Sequence, residues 1–166
     1  MKKLLLLLLC TAFLLCACSD EKKNGTLAYQ DGDFSFVGSF RLDGMEYKAR
    51  FTQTKTADGI VRTLTYLEPT VLSGFSFRQE GEKVYASYAE HEVELSDATA
   101  ALQIFSLLDI PQTAQIAGTD QRDGVTETVL STDAGTYTLR FADGDPIPLS
   151  IVFTGHDFGM SLRIEK

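Results

Sequence analysis

From Phe34 onward, apolar and polar residues alternate with a period of two. Phe34, Phe36, Gly38, Phe40 and Leu42 fall on one side of a strand, with Ser35, Ser39 and Arg41 on the other. Asp43-Gly44 is a two-residue turn signal. After it, Met45, Tyr47, Ala49 and Phe51 alternate with Glu46, Lys48, Arg50 and Thr52. Folded as a two-residue hairpin, this sets Leu42 opposite Met45, Phe40 opposite Tyr47, Gly38 opposite Ala49 and Phe36 opposite Phe51, all on one face. A slip of one residue would turn the whole apolar set to water, so the register is strongly specified.

The pattern then repeats. Asp58-Gly59 predicts a second turn, with Ala57 beside Ile60, Gln53 beside Leu64 and Phe51 beside Tyr66; Glu68-Pro69 ends that strand, because proline donates nothing to a ladder. A fourth strand over Val71 to Gln79 and a turn at Glu80-Gly81 bring Phe77 to Val84, Phe75 to Ala86 and Ser73 to Tyr88. Near Ala89 the phase changes from even to odd positions (Val93, Leu95), which a short turn over Ala89–His91 or a bulge would explain. Ser96-Asp97 offers helix-capping oxygens, and Ala98, Ala101, Leu102, Phe105 and Leu108 follow at spacings of three and four, joined by Ile104 and Leu107. This helix stops before Pro111 and is apolar over much of its circumference, which predicts burial. Strands return at about Ala114–Thr119, Val125–Ser131, Thr136–Phe141, Leu149–Thr154 and Gly159–Ile164, punctuated by Asp123-Gly124, Ala134-Gly135 and Asp143-Gly144. Simple two-residue pairing around Ala134-Gly135 puts Val129 opposite Arg140. The predicted fold is mainly β (α+β): an antiparallel up-and-down meander forming an incompletely closed barrel, with one central helix packed on its concave face.

The chain before Phe34 has a different character. Met1-Lys2-Lys3 is a short positive region and Leu4 to Leu15 is an almost unbroken apolar run, short for a bilayer span and shaped like a secretion signal. It ends in Leu15-Cys16-Ala17-Cys18, which resembles the lipobox of bacterial lipoproteins. That resemblance implies cleavage after Ala17 and a diacylglyceryl group, with palmitate-type acylation, on Cys18. The alternatives are an ordinary cleaved signal with a spare cysteine, or an uncleaved membrane helix. Each buried methylene contributes ~0.8 kcal/mol, so two or more acyl chains hold a protein on a membrane stably. The domain plan is therefore a signal peptide over 1–17, the lipidated cysteine with a polar, flexible tether over 18–33, and a single β-rich domain over 34–166. Of three cysteines only Cys18 remains in the mature chain, which leaves no internal disulfide.

Charge removes some function classes. The formal charge is −8; without Lys2 and Lys3 the basic count falls from 15 to 13 against 23 acids, giving −10. Such a surface repels nucleic acid and stands off anionic lipid, apart from a covalent anchor.

Candidate chemistry is sparse. The histidines are His91 and His156, Ser73-Gly74 lacks the flanks of a nucleophile elbow, and neither zinc spacing nor a phosphate-binding glycine loop occurs. Glu90, Glu92 and Glu94 would share a strand face; a solvated edge that discourages sheet-to-sheet association explains them better than a hard cation does. Asp31-Gly32-Asp33 and Asp143-Gly144-Asp145 read as turns. The expectation is a non-enzymatic protein with no metal and no cofactor. What remains is the apolar face itself: Phe34, Phe36, Phe40, Tyr47, Phe51, Leu64, Tyr66, Phe75, Phe77 and Tyr88, with Leu102 and Phe105 from the helix. It is either a plain core or the wall of a ligand cavity. Burial of each such side chain is worth ~1.5–3 kcal/mol, so a core suffices energetically; Gly38 opposite Ala49 favours a gap.

The order of motifs resembles the LolA/LolB-type lipoprotein carriers, a superfamily that also contains mycobacterial lipid-binding lipoproteins. The motifs are Phe36-Val37-Gly38-Ser39-Phe40, Tyr66-Leu67-Glu68-Pro69, the Gly81–Tyr85 strand, the central helix, Tyr137–Phe141 and Ile147-Pro148-Leu149-Ser150-Ile151. That resemblance implies an open barrel with helices lidding an apolar cavity for acyl chains. The chain departs from the pattern in its polar stretch before the first strand, in its single lid helix, and in having Arg41 and Arg50 directed away from the aromatic face. Two functions follow as expectations. One is a membrane-anchored extracytoplasmic lipoprotein of the cell membrane or outer membrane, binding a lipid or acyl chain. The other is a structural or interaction module of the envelope with a solid core and envelope proteins as partners.

Overall fold

The computed structural model describes residues 25–165 apart from 43 and 157, and not the side chain of Ala100; Cys18 and residues 1–17, expected as a signal peptide, lie outside the described residues. Eleven strands are described: β1 (Phe34–Leu42), β2 (Met45–Thr56), β3 (Gly59–Glu68), β4 (Ser76–Glu80), β5 (Lys83–Tyr88), β6 (His91–Glu94), β7 (Gln115–Arg122), β8 (Val125–Thr132), β9 (Gly135–Ala142), β10 (Ser150–Gly155) and β11 (Gly159–Ile164). They form one antiparallel sheet in the order β6-β5-β4-β3-β2-β1-β11-β10-β9-β8-β7. Two meanders are thus joined along a β1/β11 seam, and β6 and β7 remain as free edges, so the barrel is not closed. Helix α1 (Thr99–Ser106) lies in the connection between those two edges.

The first hairpin pairs as the alternation requires, with Leu42 opposite Met45, Phe40 opposite Tyr47, Gly38 opposite Ala49 and Phe36 opposite Phe51. Three later registers differ from expectation by two residues. Phe51 pairs with Leu64, Phe77 with Ala86, and Val129 with Thr138. A two-residue shift keeps every side chain on its face, so the apolar surface survives the error. Two of the shifts share a cause. Gly59 and Gly135 are the first strand residues after their loops, at φ +134° and +150°, rather than loop residues. The loops are Ala57-Asp58 and Asp133-Ala134, and in each hairpin a threonine hydroxyl (Thr56, Thr132) donates to the glycine carbonyl at 2.9 Å. In the third, Gly81 takes the first loop position instead of the second. The change of phase near Ala89 is a two-residue turn, with Tyr88 opposite His91.

Other boundaries moved for local reasons. Thr70–Leu72 forms a 3₁₀ turn, so β4 starts at Ser76. Asp97 Oδ1 accepts from the Thr99 backbone N–H at 3.0 Å and from its hydroxyl at 2.7 Å, which starts α1 at Thr99 and holds the Asp97 carboxyl below its ordinary value. Residues 25–31, expected to belong to the tether, form a 3₁₀ helix that buries Leu27 and Tyr29 at 1% and 3% exposure. The folded unit therefore includes Gly25 onward. Gly38 does not leave a gap: a Cβ there would run into the backbone of Ser161 and Leu162, so the space is taken by β11 at the seam.

Candidate functional site

The period of two sends one set of side chains from each strand to the concave face, and aromatic residues are prominent in it. Tyr137 and Phe153 have ring centroids 4.6 Å apart, Phe153 and Phe158 6.2 Å, Phe158 and Phe40 6.1 Å, and Phe40 and Tyr66 6.0 Å. Tyr66 continues to Phe75 at 6.2 Å, and Phe75 meets Phe77 edge-on at 5.0 Å. A file of rings thus runs across the concave face from β9 to β4, within the range where aromatic pairs attract. Tyr47 stacks on Phe40 at 5.3 Å and meets Tyr66 at 5.6 Å. A shorter branch, Tyr29–Phe34–Phe36, joins the N-terminal turn to β1.

All the rings and leucines singled out from the sequence fall on this face, in different states. Phe34, Phe36, Phe40, Phe51, Leu64, Tyr66 and Phe105 are buried; Tyr47, Phe75, Phe77 and Leu102 are half-buried; Tyr88 is 58% exposed. Beside Tyr88, Val93 is also exposed, at 61%. Ala101, Ile104, Phe105 and Leu108 of the helical segment enter the same core cluster as Phe36 and Phe51. The middle of the trough is therefore filled by α1, and the corner of its β5–β6 end at Tyr88 and Val93 is left uncovered. The sequence reading missed Tyr137, Phe153, Phe158, Leu27 and Tyr29, and with them the β7–β11 half of the face.

A polar clasp fastens the cover. Both guanidinium NH groups of Arg62 donate to Asp109, at 2.7 and 2.6 Å, and its Nε donates to Gln53 Oε1 at 2.9 Å. Gln53, 2% exposed, donates in turn to the carbonyls of Gln30 and Gly32 at 2.7 and 2.8 Å. Gln30 donates to the Leu108 carbonyl at 3.0 Å. The N-terminal turn, β2, β3 and the end of the helical segment are thus held by one network. Burial satisfied in this way is far less costly than an unpaired buried amide.

The phenols respond to the same environment. Burial pushes Tyr66 up to about 12, with Tyr47 adding to it, and pushes Tyr137 up to about 12, with the Asp109 charge adding. Burial raises Tyr29 further; the Gln30 amide beside it offsets this in part, and among the described residues no group reaches hydrogen-bond geometry with the hydroxyl.

The opposite face carries the charges. Glu92 accepts from Arg78, which holds its carboxyl below the ordinary value, and Glu94 pairs with Lys83 at 3.2 Å. Arg50 binds Glu165 in bidentate fashion at 2.7 Å, so it points away from the trough as expected. His91 lies exposed in edge strand β6 and His156 exposed after β10. Among the described residues no group of three metal-ligating side chains occurs, and no helix is long and apolar enough to cross a membrane.

No family model matches the sequence, and no curated protein matches it. Solved structures do. An uncharacterized conserved protein from Thermus thermophilus is 15% identical at a TM-score of 0.53, over 85% of this chain and 80% of its own. MucB is 15% identical at a TM-score of 0.51, over 89% of this chain; the chain spans 58% of MucB's length. The Mycobacterium tuberculosis lipoprotein LppX is 15% identical at a TM-score of 0.44, over 86% of this chain and 90% of its own. A LolA superfamily protein from Nitrosomonas europaea is matched as well, at a TM-score of 0.35. Where the TM-score exceeds 0.5, what is shared with this chain is the fold.

Proposed function

We propose that this protein is a membrane-anchored, extracytoplasmic lipoprotein that catalyses no reaction and binds a lipid or acyl chain along its file of rings. The observation that supports this best is that the file is continuous from Tyr137 to half-buried Phe77, and that the same face ends beyond it in exposed Tyr88 and Val93. An acyl chain laid on half-buried rings gains ~0.8 kcal/mol per methylene removed from water, so a modest contact length gives useful affinity. Helix α1 would act as the gate. Its backbone makes no hydrogen bond to a strand among the described residues, and apolar side chains and the Arg62–Asp109 clasp hold it down. Cys18 would carry the covalent lipid, which puts the domain on the outer side of the cell membrane or on the outer membrane.

The test is native mass spectrometry of the full-length chain, extracted gently from its membrane, with lipid analysis of the same sample. A near-stoichiometric noncovalent lipid, reduced by Phe77→Ala, supports the reading. Extracts without such a lipid, and with no binding of an added fatty acid, overturn it. A second reading then stands, an envelope interaction module with a solid core. It is favoured by the dense filling of the trough by Ala101, Ile104, Phe105 and Leu108. MucB, of the same fold, has also been solved in complex with MucA. Replacing Cys18 with Ser separately tests the anchor, through loss of incorporated palmitate.

A further inference from the structure

Among the described residues six large apolar side chains are exposed: Met45, Val71, Tyr88, Val93, Ile116 and Val152. Exposed apolar residues scattered singly over a surface are ordinary. These are not scattered. Alternate turns of an antiparallel meander share an end, so the start of β2, the turn after β3 and the β5–β6 turn lie together. Pairing through β11, β10, β9 and β8 brings the start of β7 to that same end. Met45 opens β2, Val71 sits in the Thr70–Leu72 turn, and Tyr88 closes β5. Val93 and Ile116 are the third and second residues of their strands. Five of the six thus rim one end of the trough. Val152 lies mid-strand on the convex face, and the opposite end, with turns at Asp58, Glu82, Asp123 and Gly144, has none of them.

We infer that this rim rests on the surface of a zwitterionic lipid bilayer. The contact presupposes the acyl-chain reading and adds to it the surface from which the chain is taken.

The ring file opens at the same end. Phe40 and Tyr137 stand within three residues of strand ends there, and Phe75 and Phe158 lie just outside β4 and β11. File and rim are joined: the Tyr47 hydroxyl donates to the Met45 sulfur at 3.8 Å, and the Phe75 N–H donates to the Leu72 carbonyl at 2.9 Å. An acyl chain passing from a bilayer to the rings stays out of water only where the rim meets the bilayer.

Val71 is also held outward by a built turn. The N–H groups of Leu72 and Ser73 donate to the carbonyls of Pro69 and Thr70 at 2.9 and 3.1 Å, and that of Gly74 donates to Tyr66 at 3.1 Å. The valine side chain is 82% exposed on this fixed tip.

Shape and charge select the occupant. The five side chains stand on separate turns and strand ends with polar residues between them, whereas a rigid protein partner packs on a continuous apolar core. A fluid interface takes up separate apolar tips, and Tyr88, a ring with a polar hydroxyl, suits the headgroup level. Around the rim Arg41 and Lys48 are outnumbered by Glu46, Glu68, Glu90 and Asp133, and Asp109 is neutralised by Arg62. Nothing there draws the rim to anionic lipid.

The chain contains no tryptophan, so a single one introduced at a chosen position is its own probe. The test places full-length Val71→Trp, Met45→Trp and, at the opposite end, Ala57→Trp in phosphatidylcholine vesicles with or without bromine on the acyl chains. Interfacial side chains reach roughly 5–10 Å into the headgroup boundary. Brominated lipid should therefore dim the Val71 and Met45 probes about twofold and leave the Ala57 probe unchanged, while acrylamide should quench in the reverse order. Two rim positions are probed so that one poorly folding variant does not decide the result. Equal quenching at the two ends overturns the contact, since a tether alone would produce it. So does a rim probe that stays in water, or one that is dimmed only when phosphatidylglycerol is added. Binding of a fluorescent fatty acid is measured on the same samples. A chain that binds it with both rim probes in water refutes the contact alone; dimmed rim probes without fatty-acid binding refute the acyl-chain reading and leave the contact standing.

Discussion

The two flanks of the concave face are built from the same alternation and end in different states. On β8 to β11 the inward residues Leu130, Leu139, Ile151 and Leu162 are at most 1% exposed. On the β4–β6 flank Val84 and Ala86 are buried as well, but Phe75 and Phe77 are half-buried and Tyr88 and Val93 are exposed. The difference follows from the size of the cover. A helix of 8 residues is about 12 Å long, whereas strands lie about 4.8 Å apart and the sheet has 11 of them. One short helix cannot roof both flanks. Leu27 and Tyr29 from the N-terminal turn add cover near β1 and β2. The sealed flank mixes aliphatic side chains with the buried rings of Tyr137 and Phe153, whereas at the outer part of the other flank Phe75, Phe77 and Tyr88 keep contact area while partly wet.

The sharpest way to break this comparison is to truncate one inward residue on each flank. Leu139→Ala on the sealed flank should cost about 2–5 kcal/mol, since transfer and cavity terms add. Phe77→Ala on the open flank removes a larger side chain and should cost roughly half as much, because that ring already meets solvent. Urea unfolding of the two variants reads the difference. Equal costs would mean that the two flanks are equally packed and the trough is an ordinary core.

The seam between the flanks comes next. Gly38→Ala sets a methyl against the backbone of Ser161 and Leu162, neither of which can swing away. A loss of about 1–3 kcal/mol is expected, seen as a melting temperature lower by roughly 5–10 °C. An unchanged melting temperature would show that β11 can stand further from β1 and that the meanders are loosely joined.

Alkaline titration gives a smaller, graded effect. Tyr66 and Tyr137 are raised from 10.0 to about 12, and Tyr29 is raised as well. Between pH 10 and 12 the unfolded chain has lost phenolic protons that the folded chain retains, so folding weakens as pH rises through that window. The stability from these groups is fully present below pH 10. Ultraviolet titration at the phenolate band should show three of the 6 tyrosines ionising late, and together with unfolding. If all six titrate near pH 10, the ring file is open to water along its length.

Much of this was legible in the chain, and the illegible parts have physical causes. The β1/β2 register could be read residue by residue, because bulky rings alternate strictly around Asp43-Gly44. At Gly59 and Gly135 the glycine resembled a loop residue and was a strand residue, which moved the pairing by two without turning a face. The β9–β11 rings were overlooked because Tyr137, Phe153 and Phe158 stand among threonines and glycines, without an aromatic run to mark them. Leu27 and Tyr29 are two apolar residues in a polar stretch, too few to show a period. The clasp was invisible for a different reason: Asp109 is distant in sequence from Arg62, and Gln53 and Arg62, cross-strand partners that turn inward, break the very pattern used to read the strands.

The smallest effect on stability should accompany a clear effect on binding, at the exposed residues just past the end of the file. Tyr88 is 58% exposed and lies beside the free edge β6, where truncation creates no cavity. Tyr88→Ala should therefore change the unfolding free energy by no more than about 0.5 kcal/mol. If an acyl chain enters where the cover ends, the same substitution removes part of the first apolar surface it meets, so a fluorescent fatty acid should bind the variant measurably more weakly. Val93→Ser, directly across from Ala86 on the same face, should do likewise. Lost affinity with intact stability is a combination that a solid core does not produce, because in a core the residues that matter are those whose removal unfolds it. Unaltered fatty-acid affinity in both variants would confine any entry route to the sealed flank, where α1 would have to leave before a ligand could touch a ring.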